Sequence, residues 1–197
     1  PVILALLPGL SADAAGDPVA EFWDWFRTAA PRIHEVGEDA DDRKQMTYWL
    51  DRIRPGLSYE ISRDGRRATL VLSADGRIGL FSAVQAVVDQ APRIRRWKIR
   101  ALRARASRLA PVTVEGVTLD PATAHFDLYQ DAGRLGVVIY VPSFDPERVE
   151  AYRTAARRLM CQAVGERAVG NEVGFVDLDS RDVRDARFSR PFGEFRE

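Results

Sequence analysis

The sequence predicts an α+β protein in which an N-terminal helical pair precedes two β-β-α-β units, an internal repeat around a mainly antiparallel sheet. Three observations carry that prediction. Apolar residues recur at three-to-four spacing up to Ile53, and from Leu57 the period drops to two. The order strand, turn, strand, helix, strand then occurs twice. The boundaries that follow are an apolar arm over residues 1–16, the helical pair over 17–56, and an α+β domain over 57–197 with repeats at 57–103 and 124–178. At 197 residues and 46% hydrophobic, the chain is long enough to bury a sizeable core.

Each element has a local reason. The arm is apolar through Leu10 but lacks a basic n-region, and Pro8-Gly9 interrupts it well short of the roughly 20 residues that span a bilayer. It reads as an arm packed on the body or a remnant of a targeting segment. Asp17-Pro18 sets up a helix start, with Asp17 capping and Pro18 where its missing N–H costs nothing. Val19, Phe22, Trp23, Phe26, Ala30 and Ile33 form the first stripe, and Pro31 is expected to bend or end that helix. Trp25 points away from the stripe, which implies a helix clamped between two surfaces. Asp41 and Asp42 open a second helix with Met46, Trp49, Leu50 and Ile53 on one face, and Pro55-Gly56 stops it.

Leu57, Tyr59 and Ile61 then alternate with polar residues, and Arg63-Asp64-Gly65-Arg66 turns the chain into a strand over residues 69–73. A helical stripe runs from Ile78 to Ala91, Pro92 ends it, and residues 97–103 read as a strand. After an irregular stretch with Pro111, Gly116 and Pro121, strands are expected at 124–130 and 135–141, a helix at 147–164 and a strand at 173–178. At a constant offset of 70, Tyr59 answers Tyr129, Val71 answers Val141, Ser73 answers Ser143 and Asp75 answers Asp145.

Composition narrows the function classes. Basic and acidic residues balance at 29 each, so no global field draws the chain onto nucleic acid or an anionic membrane. The lone Cys161 forms no internal disulfide, and His34 and His125 give no zinc spacing, which argues for a cytoplasmic setting, no metal and no cofactor. Asp177-Leu178-Asp179-Ser180-Arg181-Asp182 lacks the glycine and terminal glutamate of an EF-hand loop.

Two surfaces are candidate sites. The outward sheet positions Glu60, His125, Asp127, Tyr129 and Tyr140 include an acid–base set, since residues two apart on a strand point the same way. Arg95, Arg96, Lys98 and Arg100 form the centre of a basic run from Arg93 to Arg108 with no acidic residue in it, a candidate polyanion patch in which Trp97 could stack a base. Against that, strand alternation splits the cations between one face and its flanking loops, and acidic neighbours such as Glu60 and Asp127 offer them partners. No nucleophile elbow or phosphate loop occurs.

Phe22-Trp23-Asp24-Trp25-Phe26, Leu72-Ser73-Ala74-Asp75-Gly76 and the segment from Ala91 to Ala101 together resemble a family of uncharacterised bacterial proteins. That family opens with an F-W-x-W-F helix and carries an A-P-x-I-x-x-W-x-I-x-A segment. The resemblance covers residues 22–103 and implies no activity, cofactor or catalytic residue. The expectation is therefore a soluble bacterial binding or interaction protein, not an enzyme, whose partner is another protein or a second copy of the chain. A small-molecule enzyme on the outward sheet face and a weak nucleic-acid or polyanion binder are the alternatives.

Overall fold

In the computed structural model, residues 16–180 and 190–196 are described. The apolar arm up to Ala15, and Arg181 and Asp182 of the acidic run, lie outside the described residues. Helix α1 (Pro18–Val36) starts as its sequence dictates, with the Asp17 carboxylate accepting from the Val19 N–H at 3.0 Å. Pro31 does not end it. The proline removes one N–H from the ladder, while Phe22, Phe26, Ala30 and Ile33, all fully buried, hold the face on both sides of it. Helix α2 (Ala40–Ile53) opens at Asp39, two residues earlier than expected, through a capping box. Asp39 accepts from the Asp42 N–H at 2.9 Å and Asp42 from the Asp39 N–H at 3.0 Å.

The first sheet holds β1 (Ser58–Arg63), β2 (Ala68–Ser73) and β3 (Trp97–Ala101), with α3 (Phe81–Asp89) between the last two. β1 and β2 pair antiparallel, and β2 and β3 pair parallel. A short hairpin follows, β4 (Val112–Val114) and β5 (Val117–Leu119), in the stretch that reads as irregular. Its two turn residues, Glu115 and Gly116, both have positive φ, the geometry that matches strand twist in a two-residue hairpin. The second sheet contains β6 (His125–Asp131), β7 (Arg134–Val141), β8 (Val173–Ser180) and β9 (Arg190–Pro191) in the order β8-β7-β6-β9. Between β7 and β8 come α4 (Val149–Val164) and α5 (Glu166–Glu172), divided at Gly165 where φ is +90°.

Mixed α+β architecture is thus present, but the strands do not share one mainly antiparallel sheet. They form two separate larger sheets and a hairpin, and each larger sheet contains a parallel pair. The reason is the crossover: a helix between two strands returns the chain to its starting end, so neighbours so joined run parallel. Two apolar cores result. Leu70, Leu72 and Val84 pack with α1 and α2, whereas Val137, Ile139 and Val141 pack with α4, the hairpin and Phe192.

Two of the four identities at offset 70, Tyr59 with Tyr129 and Val71 with Val141, do not fall on equivalent positions. Val141 and Tyr59 point into their cores, while Val71 faces the opposite side of its sheet and Tyr129 is exposed. A strand alternates with period two, so aligning an inward with an outward position breaks the pleat.

Candidate functional site

Strand alternation builds the site. In the first sheet Leu57, Tyr59, Ile61, Leu70, Leu72, Trp97 and Ile99 turn toward the helices. The opposite face therefore displays two rows fixed by register: Glu60 beside Val71 beside Arg100, and Ser62 beside Thr69 beside Lys98. Lys98 and Arg100 stand about 7 Å apart along β3 on this face.

The segment after β3 walls the face into a groove of about 620 Å³, lined by these residues with Asp64, Arg67, Arg103, Arg108 and Gln162. The wall is fixed to the second unit. Gln162 accepts from the Ala106 N–H through its carbonyl and from the Ala110 N–H through its side chain, both at 2.9 Å. Four residues on, Glu166 takes the Arg103 N–H on its carboxylate at 2.8 Å and donates its own N–H to the Arg103 carbonyl at 2.9 Å.

At the top of the groove lies a buried polar seam between the two cores. Glu166 has no exposed surface, and its carboxylate also accepts from Ser73 Oγ at 2.8 Å, the Ala74 N–H at 2.7 Å and the Gly76 N–H at 3.2 Å. Asp75 is bound by the guanidiniums of Arg103 and Arg158, the latter at 3.1 and 3.2 Å. Burial pushes the Asp75 carboxyl up, but the two arginines outweigh it and hold the group below the usual carboxylate range. Cys161, buried beside the seam, has its thiol pushed well up, first by desolvation and then by the Glu166 charge, so it is an inert packing group.

The charges of the groove are unequal. Arg103 is committed to Asp75 and reaches Glu60 at 3.3 Å. Asp64 accepts the Arg67 backbone N–H at 3.0 Å in the hairpin turn. The side chains of Arg67, Lys98, Arg100 and Arg108 form no ion pair or hydrogen bond with another described residue. Low-dielectric walls on a concave surface focus such a field outward, which favours an anion.

The sequence-derived sites are divided by the fold. Glu60 belongs to the first sheet. His125, Asp127 and Tyr129 lie on β6 and Tyr140 on β7, on the coreless face of the second sheet, with His125 directly opposite Tyr140. Glu60 is therefore separated from the acid–base set, while His125 and Asp127 share one face of β6. The basic patch is also split. Lys98 and Arg100 face the groove, Arg96 occupies a positive-φ turn, and Arg95 lines a shallow depression by Trp97 on the helical side. Trp97 donates its indole N–H to the Ala30 carbonyl at 3.0 Å and packs edge-on against Phe26, so it does not stand over the groove. Neither Lys98 nor Arg100 pairs with Glu60; β2 intervenes between them.

Arg67, Gln162 and Glu166 were not singled out by sequence reasoning, whereas Arg108 closes the basic run. Arg67 at the end of the hairpin turn had a usable local signal; Gln162 and Glu166 join the site only through contacts distant in sequence. Among the described residues, no three His, Cys, Asp or Glu side chains are grouped to hold a metal ion, and no helix is long and apolar enough to cross a membrane. Comparison with protein-family models, with curated proteins and with solved structures finds no match.

Proposed function

We propose that the protein is a binding protein whose ligand is a multiply charged, non-aromatic anion held in the groove on the open face of the first sheet. One observation carries this reading: four cationic side chains, Arg67, Lys98, Arg100 and Arg108, line one concavity without a carboxylate partner among the described residues. Its size, about 620 Å³, lies within the span of small-molecule sites. Ser62 and Thr69 supply hydroxyls that orient an oxyanion, while no aromatic side chain lines the groove to stack a base. That lining favours a compact anion over a nucleic acid. Binding rather than catalysis is the better fit because the groove carries no histidine, cysteine or tyrosine and its carboxylates Glu60 and Asp64 already have donors. A bacterial cytoplasm, where the single cysteine stays a thiol, suits such a protein.

Calorimetric titration with inorganic tripolyphosphate tests the reading. Saturable binding is expected that weakens with salt and by about tenfold or more in the Lys98→Gln/Arg100→Gln double variant, since about 1.4 kcal/mol corresponds to each factor of ten. Single-stranded RNA is expected to stay in the nonspecific range of about 10⁻⁴ to 10⁻⁶ M at physiological salt. Binding that ignores the double substitution would contradict the assignment.

The two β-β-α-β segments are, in the same reading, copies of one unit. The shared order β1-β2-β3 and β6-β7-β8, each with its helix before the third strand, supports this. Inward positions then match as Leu70 with Ile139 and Leu72 with Val141, and no constant offset applies, because Ile61 pairs with Leu70 whereas Phe126 pairs with the more distant Ile139.

A further inference from the structure

A second cavity of about 160 Å³ lies where the loop after β2 meets α5 and β8, and it shares no lining residue with the groove. Three arginines from three elements line it: Arg77 after β2, Arg134 at the start of β7 and Arg157 on α4. Among the described residues no acidic side chain does. Arg77 gives two of its five donors to the Ala74 carbonyl, at 3.0 Å, and the Gly56 carbonyl. Arg134 gives one amino group to the Gly170 carbonyl at 2.7 Å, while its Nε is buried without an acceptor among the described residues. Arg157 forms no ion pair or hydrogen bond with a described residue.

A buried guanidinium N–H strongly favours an acceptor, and guanidinium forks match the geometry of phosphate and carboxylate oxygens. We infer that this cavity is a binding site for one compact oxyanion of phosphate size, held by Arg77, Arg134 and Arg157. Its volume falls well below the roughly 300–1,000 Å³ of ordinary small-molecule sites, which limits the ligand to a single oxyanion group.

The test is a titration of the full chain with inorganic phosphate, followed by calorimetry and by the melting temperature, with sulfate and acetate as comparison anions. Phosphate is expected to bind saturably and raise the melting temperature, with sulfate following and acetate weaker. Arg157→Gln, which removes no ion pair or hydrogen bond with another described residue, is expected to weaken phosphate about tenfold or more, and Arg157→Lys to restore part of it. In the Lys98→Gln/Arg100→Gln groove variant the phosphate binding that depends on Arg157 is expected to persist. Absence of saturable binding, or equal binding by Arg157→Gln, overturns the inference. So does loss of phosphate in the groove variant alone, a result that would assign the anion to the groove and leave that site standing.

Discussion

Glu166 is the residue on which the two halves of the molecule meet. Its carboxylate accepts from Ser73, Ala74, Gly76 and Arg103, so every partner is a donor. Glu166→Gln replaces one acceptor by an NH₂ group facing these donors. It is expected to cost about 1–3 kcal/mol per donor left unsatisfied, read from the urea midpoint. Asp75 gives a pH signature. Its folded-state carboxyl lies below its unfolded value, so its contribution is complete above about 3.9 and is lost as pH falls from there toward the lower folded value. As pH falls below about 4, Asp75→Asn is expected to show a shallower loss of stability than wild type; equal slopes there would show that the Arg103 and Arg158 pairs contribute nothing. The sequence marked Ser73 and Asp75 only among the identities at offset 70. Ser73 Oγ accepts the nearby Asp75 N–H at 3.0 Å, but the charged partners of both side chains lie 28 to 93 residues away, and no local pattern encodes that distance.

At the scale of elements, local chemistry was readable wherever it acted alone. Asp17-Pro18 placed the start of α1, the turn through Asp64-Gly65 placed the first hairpin, and the stripe of α1 matched its buried face. Pro31 misled because packing on both sides of it outweighs one lost hydrogen bond. The β4–β5 hairpin was missed because three-residue strands are too short to show a period. Helix α5 offers a test in which packing opposes propensity. A Cβ at Gly170 would lie 2.7 Å from Phe81 Cε2 and 3.2 Å from the Gly76 carbonyl oxygen. Gly170→Ala in a helix would ordinarily gain up to about 1 kcal/mol, yet here it is expected to lose about 1–3 kcal/mol, measured by thermal or urea unfolding. A stabilised variant would show that α5 does not press on the loop after β2.

For the whole molecule, two apolar cores joined by a polar seam leave the outer face of the first sheet without a helical layer among the described residues, and that face carries the groove. The sequence showed the basic run and correctly split its cations by strand alternation. It did not show that the outward half would stay unpaired, because that depends on β2 separating Glu60 from Arg100 and on Gln162 and Glu166 holding the wall. The most direct test maps backbone amide shifts of the labelled full chain during titration with tripolyphosphate. The largest saturable changes are expected at Ser62, Thr69, Lys98, Arg100 and the wall from Arg103 to Arg108, with His125, Asp127 and Tyr129 on the second sheet unmoved. Changes centred on His125 and Tyr129, or none at all along β3, would contradict the assignment of the groove as the binding site.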